Sequence, residues 1–286
     1  MQTQPGVWAG PGLRMNKIFA VPVLVLAGAV VMSAATSAAP ASSTAPEVAA
    51  PINWTGFYVG GDIGGLARQG HGTSDFFQDL ENPHTLQGQS LKSSSGVAGV
   101  HVGFNWQFAP SWVAGIEGDW QWTRSRFSAC RGIGIDSLPC VVNAFVGVGT
   151  VGDDVRSFGT VRGRLGMAFD RMLVYATGGA AFTDVRTSLG VDCSNLGCSS
   201  GNPIVTTAEF SAPRTGWVVG GGIERMFGQN WIVRAEYLHA DFGNLSHTLF
   251  LPSLNCFDFG TCGLSWSRNL HFDIVRAGIS YKFGGF

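Results

Sequence analysis

The sequence predicts an all-β fold: a transmembrane, antiparallel, up-and-down β-barrel of eight strands, with short turns at one end and four long loops at the other. Three observations favour this fold. Large apolar residues alternate with polar residues or glycine, tight turns alternate with long stretches of similar length, and aromatic residues gather beside the turns. Alternation with a period of two residues is typical of β-strands.

The composition supports a β-structure and excludes several classes of function. The chain has 41 Gly, 20 Phe and 9 Trp, and only 13% of its residues are charged. Glycine costs about 1 kcal/mol per position in a helix, so a helical bundle is disfavoured. The formal net charge of −1 excludes a strongly basic face, and we expect no nucleic-acid partner.

The first 39 residues are predicted to be an N-terminal extension and a cleaved signal peptide. A short basic segment from Arg14 to Lys17 precedes 15 uncharged residues, 18–32, and then small residues at 33–39. This order is typical of export signals, and the apolar run is shorter than the roughly 20 residues that span a bilayer as a helix. Met1 and Met15 both remain candidate starts. Residues 40–52 then form a flexible lead-in, and 53–286 the barrel.

The strands are predicted as three hairpins between two single strands. In 100–108 every even position is large and apolar, and the alternation resumes in 112–122 after a turn at 109–111. The same pattern recurs around turns at 170–171 and 228–230. The predicted elements, in chain order, are a strand from Trp54 to Leu66, hairpins at 96–127, 156–185 and 214–243, and a strand from His271 to Phe283.

Four stretches between these strands are predicted to be loops. Each has 25 to 29 residues: 67–95, 128–155, 186–213 and 244–268. Loops of this length are uncommon in compact soluble domains, whereas short periplasmic turns with long external loops are typical of outer-membrane barrels. Strands of roughly 10 to 13 residues, tilted near 45°, span a hydrocarbon core of about 30 Å.

The placement of aromatic residues favours a membrane barrel over a soluble one. A soluble, lipocalin-like barrel also alternates, with its apolar side chains in the lumen. Here, however, aromatic residues on the apolar face lie within a few positions of the turn end, as in the girdles at the lipid–headgroup boundary. The predicted girdle consists of Phe108, Trp112, Phe169, Phe227, Trp231 and Phe283.

The opposite face is predicted to carry an ionic network inside the barrel. Eight strands enclose a lumen just wide enough to be filled by side chains, and Arg–carboxylate pairs satisfy buried charges. A gate or an ion path is the alternative for these charges. The network is predicted from Asp62, Glu117, Asp119, Arg162, Arg164, Glu224, Arg234, Glu236 and Arg276.

The opening segment 53–61, Asn-Trp-Thr-Gly-Phe-Tyr-Val-Gly-Gly, resembles the first strand of OmpA-like porin-family barrels, most nearly the RopB-type surface antigens of alphaproteobacteria. Segments 159–166, 175–179, 216–224 and 274–283 are similar in order and spacing. The resemblance covers 54–286 and implies an eight-stranded barrel in the Gram-negative outer membrane, often an abundant surface antigen. Such barrels usually end in a Phe that the assembly machinery reads, which implies this role for Phe286 or Phe283.

Six cysteines fall as three close pairs, Cys130–Cys140, Cys193–Cys198 and Cys256–Cys262. Neighbours within one loop pair at little entropic cost in an oxidising periplasm, so three disulfides are predicted, although six cysteines allow 15 connectivities. Neither CxxC spacing nor adjacent histidines indicate a metal site.

Arg124 and Arg126 are predicted to lie on the same outward face as Trp120 and Trp122, just beyond the apolar band. This position suits the phosphates of lipopolysaccharide, with the aromatic rings below at the acyl chains. The alternative is an ordinary strand extension in water.

No catalytic residue and no cofactor are predicted. The sequence has no GxSxG motif and no Ser–His spacing typical of a hydrolase, and we expect inward-facing His101 to be hydrogen-bonded in the core. The predicted function is therefore structural or surface interaction, by a monomer whose partners are outer-membrane lipids, lipopolysaccharide and the assembly machinery. The alternatives are a low-conductance porin for small solutes and loop-mediated binding of a host surface or a ligand such as haem, for which His71, His84 and His247 are the loop histidines.

Overall fold

The computed structural model describes residues 52–78, 83–133, 147–193, 204–250 and 262–284, and these form a closed antiparallel barrel. Each strand pairs with its neighbours in the sequence, and β8 pairs with β1 to close the ring. The predicted eight-stranded barrel is thus confirmed. The strands are β1 Gly56–Gln78, β2 Pro83–Ala109, β3 Trp112–Ile133, β4 Gly147–Phe169, β5 Met172–Cys193, β6 Ile204–Phe227, β7 Trp231–Phe250 and β8 Cys262–Lys282.

Three tight turns lie at one end of the barrel, here called the turn end. They join β2 to β3, β4 to β5 and β6 to β7 at the positions that the sequence predicts. Two of them use the left-handed backbone region, with φ of 51° at Asp170 and 62° at Gly228. Glycine and aspartate tolerate this conformation better than most residues. In the described part of the chain, no helix is long and apolar enough to cross a bilayer.

The strands are longer than the sequence predicts, at 20 to 27 residues each. Much of the four predicted loops continues the β-ladder: 67–78 extends β1 and 83–95 extends β2. His71, His84 and His247 therefore lie on strands. The apolar alternation stops because the outward face becomes polar, although the backbone pairing continues.

The strand registers fix the geometry of the barrel. From Tyr58 on β1, successive cross-strand partners lead around the ring and return to β1 at Arg68, ten residues further along. Eight strands with this shear of ten are tilted by about 40° and enclose a lumen that side chains can fill. The partners on the path are Gly103, Glu117, Arg162, Gly179, Val218, Ala240 and Phe272.

The outward face carries an apolar band next to the turn end. On β3 it runs from Trp112 to Trp122, and the next outward residues, Arg124 and Arg126, are charged. Eleven residues at about 3.3 Å each, tilted as above, give a height of about 25 to 28 Å, which matches the apolar band of an outer-membrane barrel. The six predicted girdle residues all lie on this outer face, with 41% to 55% of each residue exposed.

Inside, the barrel is layered along its axis. An apolar cluster that includes Trp54, Leu173 and Ile232 lies at the turn end. Buried charges follow, and then a second apolar cluster that includes Phe158 and Phe272. Thus the apolar side chains meet lipid outside while ionic side chains fill the middle of the lumen, the reverse of a soluble barrel.

Two neighbouring glycines of β1 offer a test of this packing. A Cβ on inward Gly64 would lie 2.2 Å from the Val275 carbonyl oxygen and 2.7 Å from Arg276 Cα, whereas a Cβ on outward Gly65 meets nothing within 4 Å. We expect Gly64→Ala to destabilise the barrel by about 1–3 kcal/mol, as overpacking does, and Gly65→Ala to leave it unchanged. Urea titration followed by gel mobility without boiling measures both. Equal midpoints for the two variants would contradict this packing.

Candidate functional site

The candidate site is the ionic layer, the set of charged side chains in the middle of the lumen. All nine side chains predicted for the interior network are there, and each residue is only 1% to 7% exposed. They come from β1, β3, β4, β6, β7 and β8, because each lies at an inward position of its strand. The layer consists of Asp62, Glu117, Asp119, Arg162, Arg164, Glu224, Arg234, Glu236 and Arg276.

Arg162 links three carboxylates. Its Nη1 donates to Glu236 Oε1 at 2.9 Å, and its Nη2 donates to Asp119 Oδ2 at 2.9 Å and also to Glu117. Its Nε donates to Thr160 Oγ1 at 2.9 Å. One β4 side chain thus connects strands on opposite sides of the lumen, β3 and β7.

Arg234 and Arg276 extend these links to β1. The Nε and Nη2 atoms of Arg234 each donate to Asp62 at 2.8 Å, and its Nη1 donates to Glu117 at 2.7 Å. Arg276 donates to Glu236 Oε2 at 2.8 Å and to Asp119 at 3.2 Å. Forked, charge-assisted contacts of this kind are the strong hydrogen bonds of proteins.

Arg164 lies between two tyrosines that the sequence prediction missed. Its guanidinium carbon is 5.6 Å from the centre of the Tyr58 ring and 4.0 Å from that of Tyr175. Its Nη2 lies 2.6 Å from Glu224 Oε1, and the Tyr58 hydroxyl donates to Glu117 at 2.7 Å. Strand alternation could have found Tyr58, because it lies on the same inward face of β1 as Asp62.

His101 is buried and hydrogen-bonded, as its inward position predicts. The sequence did not identify its hydrogen-bond partners. Its Nδ1 is 2.9 Å from Asp62 Oδ2 and its Nε2 is 2.7 Å from Ser280 Oγ. The Ser–His–Asp order is that of a hydrolase triad. No Ser–His spacing in the sequence signals this contact. The three residues lie on three strands, so only the barrel register brings them together.

Glycines make room for these side chains. A Cβ on Gly103 would lie 2.3 Å from the Tyr58 hydroxyl, and a Cβ on Gly278 would lie 2.2 Å from Asp62 Oδ1. The ionic layer therefore fills the lumen, with five carboxylates, four guanidinium groups and His101 in mutual contact.

Comparisons with known proteins identify the family of this barrel. The family of the outer membrane protein beta-barrel domain matches residues 25–283. The chain belongs to this family. A 31 kDa outer-membrane immunogenic protein of Brucella melitensis is 33% identical over 263 residues, which cover 87% of this chain and 95% of that protein. A 22 kDa outer membrane protein of Rhizobium leguminosarum is 27% identical over 240 residues, covering 81% and 79%.

Among solved structures, the outer membrane protein OprG of Pseudomonas aeruginosa has a TM-score of 0.43 and 11% identity, covering 82% of this chain and 99% of that one. The family and the named relatives place this outer membrane barrel protein in the cell outer membrane, among alphaproteobacterial surface antigens, as the sequence resemblance implies. The turn end then faces the periplasm and the opposite end, the far end, faces outward.

The residues predicted to contact lipopolysaccharide lie on the outer surface. Arg124 and Arg126 are exposed just above Trp120 and Trp122. A surface cavity of about 350 Å³ lies beside them, and it includes arginines from three adjacent strands. These cavity arginines are Arg126, Arg156 and Arg186.

Several other predicted features lie partly or wholly outside the described residues. Phe283 follows β8 and is exposed on the outer face, whereas Phe286 is outside the described range. The predicted disulfides also fall outside, since the structure describes none of the six cysteine side chains. Where side chains are described, no group of three or more His, Cys, Asp or Glu is arranged to hold a metal ion.

Arg162 tests how much the ionic layer stabilises the barrel. We expect Arg162→Met to lower the free energy of unfolding by about 3–5 kcal/mol, because it leaves three buried carboxylates without their shared partner. Exposed Arg156 is the matched control, and Arg156→Met should change stability by less than about 0.5 kcal/mol. Urea unfolding in lipid vesicles measures both. A loss of stability no larger than the control's would contradict the network's role.

Proposed function

We propose that this outer membrane barrel is a closed, non-enzymatic structural protein that presents its far end at the cell surface. The observation that carries the proposal is the ionic layer, in which Arg162 and Arg234 reach carboxylates from other strands across the lumen. We also propose that the barrel assembly machinery is a partner and reads Phe283 or Phe286.

The closed lumen follows from geometry and energy together. A barrel of eight strands and shear ten leaves space for side chains and little more. A hydrated ion path through the ionic layer would have to separate several buried ion pairs, each at a cost of several kcal/mol. The two apolar clusters, one on each side of the layer, add a further barrier to ions.

A non-enzymatic role is supported by the surroundings of the Ser280–His101–Asp62 chain. Ser280 and His101 are each 2% exposed, and an apolar cluster lies on each side of the ionic layer that they contact, so a substrate has no route to the hydroxyl. Asp62 also accepts two hydrogen bonds from Arg234, so this carboxylate is part of the ionic layer that joins β1 to β7. Covalent labelling of Ser280 by a fluorophosphonate probe would contradict this proposal.

Conductance in planar bilayers separates a closed barrel from a low-conductance porin. We expect the purified full chain to give no steady unit conductance, because the ionic layer occupies the lumen. Arg162→Ser combined with Glu236→Ser removes two long side chains and should produce open steps if the variant folds. Arg156→Ser, on the outer surface, is the control and should stay closed. Stable, uniform steps from the unchanged protein would establish the porin function instead.

We also propose that the outer surface contacts lipopolysaccharide at the arginine cavity. Asp154 is the carboxylate that Arg126 and Arg156 share, at 3.8 Å and 3.0 Å, and both arginine side chains are at least 60% exposed. With Arg186, the cavity has three exposed arginines beside Asp154 and Glu209, so positive charge is in excess at the upper edge of the apolar band. Trp120 and Trp122 lie directly below, where acyl chains begin. Phosphate groups of lipid A fit this combination of charge and aromatic surface.

The lipid proposal is tested by replacing arginines at opposite edges of the band. We expect Arg126→Ala with Arg156→Ala to weaken binding of lipopolysaccharide to the nanodisc-embedded protein by about tenfold or more, because charge-assisted contacts contribute about 1.5–3 kcal/mol each. Arg225→Ala is the matched control, since Arg225 is also outward-facing but lies beside the turn end. The unchanged protein and the variants should bind dephosphorylated lipopolysaccharide with equal affinity. Equal affinity for all three proteins would remove the proposal.

A further inference from the structure

A second buried ionic cluster lies beyond the apolar layer, towards the far end. Arg68 of β1 and Arg268 of β8 both reach the same oxygen, Asp153 Oδ2 of β4, at 3.3 Å and 2.7 Å. The Thr187 hydroxyl donates to the other carboxylate oxygen at 2.8 Å. The side chains of the two arginines and the aspartate are at most 2% exposed. We call these three residues the upper cluster.

The upper cluster has an excess of positive charge. Two guanidinium groups share one carboxylate, and no other acidic side chain in the described chain is within ion-pair distance of either arginine. The ionic layer differs, since its five carboxylates outnumber its four guanidinium groups. A buried charge without compensation costs several kcal/mol, so a structure that keeps one usually supplies a counter-charge.

The upper cluster also has spare hydrogen-bond donors. Among the described residues, Arg68 Nη1 has no hydrogen-bond partner, and the same holds for Arg268 Nε and Nη2. These are donors that native proteins normally satisfy. Excess positive charge and free donors together indicate an acceptor with negative charge.

We propose that the upper cluster binds a small oxyanion, inorganic phosphate or the phosphate group of a small ester. The forked guanidinium groups of Arg68 and Arg268 suit bidentate recognition of such oxygens. The apolar layer below, which includes Phe158 and Phe272, stops the anion from passing towards the turn end. The site is therefore a binding site and not a channel, and it goes beyond the proposed structural role.

Phosphate titration of the folded full chain tests this inference. We expect saturable, one-to-one binding of inorganic phosphate, seen as broadening of its ³¹P resonance and as a rise in Tm with phosphate at constant ionic strength. Arg268→Met and Arg68→Met should each weaken binding by about tenfold or more, because a charge-assisted contact is lost. A parallel titration with glucose 1-phosphate shows whether the site takes the free ion or an ester.

Two controls separate the upper cluster from the outer arginine cavity and from misfolding. The variant Arg126→Ala with Arg156→Ala removes the phosphate contacts of the outer cavity but should keep the saturable one-to-one phosphate site of the upper cluster. The Tm of Arg268→Met in phosphate-free buffer should equal or exceed that of the unchanged protein, because the substitution removes the excess buried charge. The inference is overturned if phosphate leaves the Tm and the ³¹P line width unchanged. It is also overturned if binding is lost in the outer variant and kept in Arg268→Met.

Discussion

Closure of the ring is the constraint on which the rest of the structure depends. In hydrocarbon every backbone N–H and C=O must find a partner within the protein, so a sheet can span a membrane only without an edge. The pairing of β1 with β8 provides this closure. Once eight strands close with a shear of ten, the width of the lumen is set, and the polar inward side chains must be packed and paired within it.

The ionic layer serves that closed ring by joining strands that are distant in the sequence. Arg234 of β7 contacts Asp62 of β1, and Arg162 of β4 contacts Glu236 of β7. A slip of one residue in any register would turn these charges towards lipid and the aromatic residues inward. The same pairs that fill the lumen therefore also specify the register, and the energetic penalty for a wrong register is large on both faces.

Much of this arrangement follows from the sequence, because alternation reports the face of each side chain. The three turns lie where alternation predicts them, the six predicted girdle residues are on the outer face, and the nine predicted charges are buried inside. Large outward apolar residues end where the outward face becomes polar, which is why the stretches read as loops include paired strand such as 147–155. Contacts between strands need the register as well. The Ser280–His101–Asp62 chain and the upper cluster, with Arg68 and Asp153 in predicted loops, could be found only in three dimensions.

The two buried clusters differ in composition, and the apolar layer between them keeps them separate. The ionic layer has five carboxylates against four arginines, whereas Arg68 and Arg268 face Asp153 alone among the described acids. An ion that passed between the two clusters would have to cross apolar side chains. Lumen closure and anion binding thus rest on different residues. An anion can occupy the upper cluster of a closed barrel, and a closed barrel does not require that an anion bind.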